Sequence, residues 1–126
     1  MSKMSVIIVS WNARDYLREC LASVRDTGGQ EVCETIVVDN ASTDGSPDMV
    51  ANEFPDVQLI RSDVNLGFAA GNNLGIRRAR GELLALVNSD VVLHPQCLKR
   101  LQEFLIHHPN VGMVGPRIVG RDGKTQ

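Results

Sequence analysis

The sequence predicts an α/β fold in which a doubly wound, mostly parallel sheet carries helices on both faces. Apolar runs of strand length alternate along the chain with segments whose apolar residues recur every three or four positions. Several of the strand-like runs are continuously apolar, as is typical of strands buried on both faces of a parallel sheet. The 126 residues contain neither an internal repeat nor a linker. One domain is therefore expected over residues 1–126.

The chain opens with a predicted β-α unit. Met4–Ser10 is rich in β-branched residues and predicts the first strand. Asn12 can cap the helix that follows. The apolar stripe of this helix has steps of three and four residues and comprises Tyr16, Leu17, Cys20, Leu21 and Val24. Gly28 and Gly29 are expected to end the helix.

The middle of the chain repeats this alternation. Glu34–Asp39 predicts a second buried strand, and Asp44–Phe54 suits a short helix that Pro55 stops. Val57–Arg61 alternates between apolar and polar residues and predicts a shorter strand nearer an edge of the sheet. Gly67–Arg80 is rich in small residues and has a helical pattern.

The last third of the chain holds the remaining elements. Gly81–Asn88 predicts a fourth strand, and its apolar run Leu83–Val87 is expected to be buried on both faces. Pro95 suits the first turn of a helix. The apolar face of that helix comprises Cys97, Leu98, Leu101, Phe104 and Leu105. Val111–Gly115 predicts a fifth short strand, and the chain becomes polar and loop-like from Pro116.

Composition excludes several classes of protein. The net charge of −2 and the aromatic content of 4% give no basis for binding nucleic acid. No apolar run approaches the ~18 residues of a transmembrane helix, and the short apolar start is typical of a strand rather than of a secretory leader. Cys20, Cys33 and Cys97 lie outside any CxxC pattern. They are expected to be small buried hydrophobes in a reducing compartment, with a zinc site or a nucleophilic cysteine as the alternatives.

Polar side chains follow three of the predicted strands at the point where each strand ends. The clusters are Ser10-Trp11-Asn12, Asp39-Asn40 with Ser42, Thr43 and Asp44 after it, and Asn88-Ser89-Asp90. Parallel strands bring their carboxyl ends to one edge, where ligands of such sheets bind. The alternative for any single cluster is a helix cap or a turn. The chain has no GxGxxG after the first strand and no GxxxxGK[ST].

These residue types suit a nucleoside diphosphate. Trp11 can offer a flat stacking face, although a lone Trp can equally pack in the core, and Asp39 can accept from base N–H or ribose hydroxyl groups. Asp90 can ligate Mg²⁺ or Mn²⁺, which then bridges diphosphate oxygens. In the segment NLGFAAGNNLG, Gly67 and Gly71 permit close approach of a ligand or of a neighbouring element. Asn72 and Asn73 of the same segment suit hydrogen bonds to base or ribose.

Four segments together resemble the large family 2 of inverting glycosyltransferases, which have the A-type nucleotide-sugar-binding fold. More narrowly, they resemble its bacterial rhamnosyltransferase-like members. The segments are VIIVSWNARDYLRECLASV (6–24), TIVVDNASTDGS (35–46), NLGFAAGNNLGI (65–76) and ALVNSDVVL (85–93). With their spacing they cover nearly all of the chain, and their occurrence in this order makes the resemblance specific.

The resemblance implies transfer of a sugar from a nucleotide donor to an acceptor hydroxyl, with inversion at the anomeric carbon. It implies that Ser10, Trp11 and Asn12 lie along the base and that Asp39 contacts base or ribose. The full set of expected nucleotide-binding residues is Ser10, Trp11, Asn12, Asp39, Asn40, Gly67, Asn72, Asn88 and Ser89. Asp90 is then the acidic residue of the Asp-x-Asp metal-binding element, whose first position here is Asn88.

The resemblance also implies parts that residues 1–126 do not supply. The acidic general base of the family and its acceptor-binding half lie well C-terminal of the Asp-x-Asp element, and no ED-type pair follows Asp90 up to Gln126. The chain is therefore expected to be the donor-binding portion of a longer enzyme, with its catalytic base beyond Gln126. It is not expected to turn over alone.

Two other functions stay open. A nucleotidyltransferase of related fold should carry a Gly-rich, Arg- or Lys-bearing loop after the first strand, where this chain has SWNARDYL. A non-catalytic nucleotide-binding domain is disfavoured by Asp39 and Asp90. The expected partners are a UDP- or dTDP-linked sugar and a saccharide or lipid-linked acceptor, in the synthesis of cell-surface polysaccharide or glycan. The expected location is the cytoplasm, with the inner face of the membrane as a candidate for the longer protein.

Overall fold

The computed structural model describes residues 3–126, which form a four-stranded sheet and four α-helices. The strands are β1 (Met4–Ser10), β2 (Val32–Asn40), β3 (Gln58–Ser62) and β4 (Leu83–Asn88). The helices are α1 (Arg14–Thr27), α2 (Ser46–Glu53), α3 (Phe68–Arg78) and α4 (Cys97–His107), with a single 3₁₀ turn at Gly29–Glu31 before β2. All three strand pairings are parallel, in the order β3-β2-β1-β4. The predicted α/β class and the predicted edge position of β3 are confirmed.

The order of the strands fixes where the helices lie. The chain runs from β1 outward through β2 to β3, then returns past β1 to β4. Because parallel crossovers are right-handed, this reversal moves the connecting helix to the opposite face of the sheet. The helices α1 and α2 accordingly share one face, and α3 packs against β1 and β2 on the other. The direction changes between β1 and β4, which makes the carboxyl ends of these strands the topological switch point.

The main core lies between the sheet and the face that α1 and α2 cover. It also includes residues of α4 and of the loop before it, so α4 joins this face. Its buried side chains are Met4, Val6, Ile8, Leu17, Cys20, Leu21, Val24, Val37, Met49, Val50, Phe54, Leu93 and Leu98. The predicted stripe of α1 is confirmed except at Tyr16, which is 54% exposed. Cys20 is fully buried as expected, whereas Cys33 is exposed and Cys97 is partly buried.

The second layer depends on glycines of α3. A Cβ atom added to Gly75 would lie 2.6 Å from Cγ2 of Ile7 on β1, and one added to Gly71 would lie 2.9 Å from Cγ1 of Val9. Both distances are too short for a real side chain, so α3 sits closer to the sheet than an alanine would allow. Close packing therefore accounts for Gly71, one of the two alternatives that the sequence left open.

Polar groups close the amino-terminal edge of the sheet around the buried carboxylate of Glu34. The hydroxyl of Ser5 donates to it at 2.5 Å, Nε2 of Gln58 at 2.7 Å, and the backbone N–H of Arg80 at 2.5 Å, with Nε of Arg80 at 3.3 Å. Burial opposes the charged form, but these donors outweigh it and lower the pKa of Glu34 to about 2. One side chain thus joins β1, β2, β3 and the chain entering β4.

The expectation that β4 is buried on both faces is wrong. Its residues alternate between half-buried and exposed, with Leu84 at 44% and Leu86 at 51% exposure. This strand lies at the edge of the sheet, and no other described strand pairs with its outer side. On the face opposite the main core, α3 covers β1 and β2, so the outward side chains of β4 meet solvent.

The C-terminal region differs from the sequence-based prediction in two ways. Residues 111–115 form no strand, and Val119 and Thr125 instead make an isolated antiparallel bridge around a turn. Two glycines in five residues weaken this segment as a strand. Gln96, in the left-handed region at φ 67°, is the N-cap of α4, so Pro95 precedes the helix instead of occupying its first turn. Within residues 3–126, no helix is long and apolar enough to span a membrane.

Candidate functional site

The carboxyl ends of β1, β2 and β4 bring the predicted polar clusters to one edge of the sheet. Ser10 pairs in register with Asp39 of β2, and Val9 pairs with Asn88 of β4. Two inter-strand spacings separate β2 from β4, a distance of about 10 Å. The three clusters therefore lie side by side at the topological switch point, and we call the space that they border the crevice.

Ser10 and Asp39 form the buried floor of this edge. Their exposures are 1% and 2%, and as register partners they face the same side of the sheet. Oδ2 of Asp39 accepts a hydrogen bond from the backbone N–H of Ser42 at 3.0 Å. Oδ1 of Asp39 and Oγ of Ser10 are the two buried side-chain oxygens or nitrogens without a hydrogen-bond partner among residues 3–126. Folded proteins rarely leave such atoms unpaired, and a ligand that donates hydrogen bonds would satisfy them.

The turn after β1 presents Trp11 to solvent. Its indole is 55% exposed, so the core-packing alternative for this residue is wrong and a ring face is available for stacking. Asn12 adopts a left-handed φ of 48°. Its Oδ1 accepts from the backbone N–H of Thr43 at 2.8 Å, and its own N–H donates to Oγ of Ser42 at 2.9 Å. Asn12 therefore joins the β1–α1 and β2–α2 loops.

The predicted helix-capping role of Asn12 is wrong. The N-cap of α1 is Ala13, which makes no side-chain capping bond. The first turn of α1 receives its acceptor from outside the helix, because Oδ2 of Asp44 accepts from the backbone N–H of Arg14 at 2.9 Å. A cap supplied by another loop leaves no local sequence pattern, which is why the sequence analysis missed it.

The β2–α2 loop is held in shape by Asp44. Besides Arg14, the carboxylate accepts from the backbone N–H of Ser46 at 3.0 Å and from the hydroxyl of Ser46. Burial acts against the charged form, but these hydrogen bonds lower the pKa of Asp44. Ala41 at φ 61° shows that the loop is held in a backbone conformation that residues other than glycine rarely adopt. The turn interpretation is thus correct for Asp44, whereas Asp39 in the same segment keeps one oxygen free.

Asn40 lies on the opposite face of the sheet from Asp39 and contacts the loop that precedes α3. Its Oδ1 accepts from the N–H of Leu66 at 3.3 Å, and its Nδ2 donates to the carbonyl of Gly67 at 3.0 Å. Gly67 has φ 83° and ψ 177°, a conformation essentially restricted to glycine. Asn72 is buried and donates to the carbonyl of Phe68 at 3.1 Å. These contacts shape the α3 side of the crevice, and the expected nucleotide contacts of these residues stay predictions.

The turn after β4 carries Asp90. The backbone N–H of Val91 donates to the carbonyl of Asn88 at 3.1 Å, which closes the turn over half-buried Ser89 and exposed Asp90. The side chain of Asn88 is exposed as well. Asp90 makes no hydrogen bond or ion pair with another residue of the described part of the chain.

One carboxylate at this position fits a particular kind of metal site. In the range 3–126 no three His, Cys, Asp or Glu side chains are placed to hold a metal ion together. Mg²⁺ commonly binds through one or two carboxylates together with substrate phosphates and waters, not through an all-protein cage. Asp90, unpaired and exposed at the rim of the crevice, fits a cation that a bound diphosphate helps to hold.

The chain is similar to known proteins in sequence and in structure. It is 32% identical over 124 residues to the putative teichuronic acid biosynthesis glycosyltransferase TuaG of Bacillus subtilis, an alignment that covers 95% of this chain and 49% of TuaG. A solved structure of S. aureus TarS 1-349 in complex with UDP superimposes with a TM-score of 0.76 and 28% identity, over 85% of this chain and 33% of that one. The mannosyltransferase PcManGT of Pyrobaculum calidifontis, solved with GDP-Man and Mn²⁺, gives a TM-score of 0.75 and 27% identity over 82% and 32%.

These proteins are longer than the chain described here. It spans 49% of TuaG and 29% of the putative glycosyltransferase EpsH of Bacillus subtilis, and about a third of each solved neighbour. The sequence profile described as Glycosyl transferase family 2 matches residues 5–126. That match covers almost the whole chain, and with the A-type fold of its solved neighbours it assigns the chain to glycosyl transferase family 2.

Proposed function

We propose that this chain binds the nucleotide of a nucleoside-diphosphate sugar at the carboxyl edge of its sheet, as the donor-binding part of a longer glycosyltransferase. One observation carries the proposal. Oδ1 of Asp39 and Oγ of Ser10 are buried on neighbouring strands without hydrogen-bond partners, at the switch point where α/β sheets bind ligands. A base N–H or a ribose hydroxyl is the kind of donor that a buried carboxylate oxygen needs.

The other residues of the edge take complementary roles. Trp11 offers its exposed ring face to the base, and Asn12 holds the two loops beside it. Asn40 and Gly67 fix the loop on the α3 side, so that the crevice keeps its shape when it is empty. Ser89 and Asn88 lie at the end of β4, where the diphosphate would extend toward Asp90.

Asp90 would hold a divalent cation, Mg²⁺ or Mn²⁺, jointly with the diphosphate. When bound, the cation supplies positive charge that stabilises the departing nucleoside diphosphate. A single protein carboxylate predicts weak binding of the cation alone and much tighter binding when the nucleotide is present. The complex of the mannosyltransferase neighbour with GDP-Man and Mn²⁺ supports this assignment.

In the longer protein, we infer transfer of a hexose to an acceptor hydroxyl by a single displacement that inverts the anomeric carbon. The carboxylate that deprotonates the acceptor would lie outside residues 1–126, together with the groups that bind a saccharide or lipid-linked acceptor. The greater length of the relatives supports this division of labour. The names of TuaG and of a similar poly(ribitol-phosphate) beta-glucosyltransferase from Bacillus spizizenii favour a role in cell-surface polysaccharide synthesis.

Isothermal titration calorimetry tests the proposal directly. UDP, dTDP, GDP and ADP are titrated into the chain, each with Mn²⁺ and with chelator. We expect one pyrimidine nucleotide, UDP or dTDP, to bind most tightly and to lose affinity in chelator. At a nucleotide concentration of about 100 times its Kd, the free energy of unfolding should rise by about 2.7 kcal/mol. Absence of binding by all four nucleotides in the presence of Mn²⁺ would contradict a donor site in this chain.

A further inference from the structure

The turn that carries Asp90 is attached to helix α1 at two points, one on each side of Asp90. Sγ of Cys20 lies 3.6 Å from the carbonyl oxygen of Asn88, to which the thiol donates. Oγ of Ser23 lies 3.0 Å from the backbone nitrogen of Leu93, whose N–H it accepts. Asn88 precedes Asp90 by two residues and Leu93 follows it by three. Both ends of the turn are therefore tied to one helix.

The hydroxyl of Ser23 is committed to this contact. It donates its only proton to the carbonyl of Cys20, one turn back along α1, at 2.7 Å. Only its lone pairs then face outward, and they accept the N–H of Leu93. Ser23 is 9% exposed and Leu93 is 8% exposed. Water therefore cannot easily replace this hydrogen bond, and losing the bond would leave the buried N–H of Leu93 unpaired.

Cys20 supplies the second attachment as a permanent donor. It is fully buried, and burial together with the nearby charge of Asp90 raises the pKa of its thiol to about 12. The thiol therefore keeps its proton at neutral pH. Because the side chain of Asp90 has no hydrogen-bond partner among residues 3–126, the backbone of its turn sets its position.

We infer that Cys20 and Ser23 are positioning residues for the cation site: they fix the turn so that Asp90 reaches the cation and the diphosphate together. This inference rests on the proposed function. It assigns to α1 a task in donor binding, although neither residue would touch the nucleotide. The expected effect is specific, since Asp39 lies on β2, across β1 from this turn, and its hydrogen bond with Ser42 does not involve the turn.

The test compares Ser23→Ala with Ser5→Ala in the same chain. Ser5 provides a matched control at the opposite edge of the sheet: its buried hydroxyl also donates to one group, Glu34, and accepts one backbone N–H, that of Gly81, at 2.8 Å. For each variant, calorimetry gives the nucleotide affinity with Mn²⁺ and with chelator. We expect Ser23→Ala to reduce the Mn²⁺-dependent gain in affinity about tenfold. The affinity in chelator should stay within about twofold, and Ser5→Ala should keep the whole gain even where it lowers stability more.

Three further measurements separate positioning from a loss of folding. Cys20→Ala should lower the Mn²⁺-dependent gain, and Cys20→Ser, which keeps a donor for the carbonyl of Asn88, should restore it. Hydrogen exchange without ligand should accelerate at the N–H of Leu93 in Ser23→Ala and not in Ser5→Ala. In an Asp90→Asn background, Ser23→Ala should cause no further loss of nucleotide affinity, because both changes act on the same cation contact.

The outcomes distinguish this inference from the function on which it rests. If the unsubstituted chain binds no nucleotide in the presence of Mn²⁺, the proposed donor site and this inference both fail. If it binds nucleotide equally well with Mn²⁺ and with chelator, this inference fails and the nucleotide site stands. If that gain exists and survives in Ser23→Ala and Cys20→Ala, or falls equally in Ser5→Ala, the inference alone is overturned. An equal loss from Ser23→Ala with and without Asp90 would likewise exclude an effect that acts through Asp90.

Discussion

Replacing Asp39 by asparagine should stabilise the empty chain and weaken its binding of nucleotide. In the Asp39→Asn variant, the amide oxygen can still accept the backbone N–H of Ser42, as Oδ2 of Asp39 does at 3.0 Å. The amide nitrogen then lies where Oδ1 was unpaired, so this buried position holds a neutral group in place of a charged one. A ligand donor that needs an acceptor at this place meets a donor instead.

Both effects have magnitudes that follow from these contacts. An unpaired buried polar atom costs about 1–3 kcal/mol, and more when it is charged, so replacing the charged oxygen by a neutral amide should raise the free energy of unfolding by about 1 kcal/mol. For a domain of this size that corresponds to an increase in Tm of about 4 °C. A hydrogen bond to a charged acceptor contributes about 2 kcal/mol, so nucleotide affinity should fall about 30-fold.

Thermal unfolding and calorimetry on one preparation measure the two effects together. Asp48→Asn is the matched control, because Asp48 is an exposed carboxylate on α2 whose ion pair with Arg61, at 3.2 Å, should contribute about 0.5 kcal/mol or less. The control should leave nucleotide affinity unchanged. The reasoning is refuted if Asp39→Asn lowers the Tm, or if it binds nucleotide as tightly as the unsubstituted chain does.

Three further substitutions test other parts of the structure. Asp90→Ala should abolish the Mn²⁺-dependent gain in nucleotide affinity that calorimetry measures, and it should leave nucleotide binding in chelator intact. An undiminished gain would exclude Asp90 as the cation ligand. Glu34→Gln should lower the free energy of unfolding in urea at pH 7 by about 2 kcal/mol, once solvent screening of the exposed Arg80 is allowed for. Because the pKa of Glu34 is about 2 in the folded chain and 4.5 when unperturbed, its contribution is fully present above pH 4.5 and disappears as the pH falls toward 2. Glu34→Gln should therefore flatten the pH dependence of stability in that range, and an unchanged slope would contradict the assignment. Gly75→Ala, whose Cβ would lie 2.6 Å from Cγ2 of Ile7, should cost about 2 kcal/mol in the same urea assay, and a neutral result would mean that α3 can move away from the sheet.

The sequence predicts the bounds and burial of a strand correctly where the strand's own residues determine both. Met4–Ser10 is found with the predicted bounds, because a β-branched run next to a turn suits a central strand and little else. The apolar run of β4 is just as continuous, yet Leu84 and Leu86 are exposed. Burial of a strand depends on what pairs with it and packs on it, and that information does not lie in the strand. Residues 111–115 form no strand for a different reason, because their two glycines weaken the segment as a strand.

The candidate site could be located from the sequence, but the separate tasks of its residues could not. Parallel strands place their carboxyl ends on one side of a sheet, and this rule was enough to predict that Ser10, Asp39 and Asp90 lie near one another. It could not distinguish Asp39 from Asp44, two aspartates of one polar segment. Asp44 is saturated by donors that include the N–H of Arg14 from another loop, whereas Asp39 keeps one oxygen unpaired. That difference arises from contacts across loops, which residue spacing does not record.

Buried polar groups are paired at the amino-terminal end of the strands and left unpaired at the carboxyl end, and this asymmetry supports the proposed site independently of any relative. At the amino-terminal edge, each oxygen of Glu34 accepts hydrogen bonds, and Ser5 both donates and accepts. At the carboxyl edge, Ser10 and Asp39 hold the two unpaired buried side-chain atoms of residues 3–126. Such atoms lower the stability of the empty chain, and the saturated network at the other edge offsets that loss. If folding were the only requirement on this sheet, pairing both atoms would increase its stability. That they stay unpaired, in a crevice bordered by the exposed Trp11, is the physical reason to expect a ligand there.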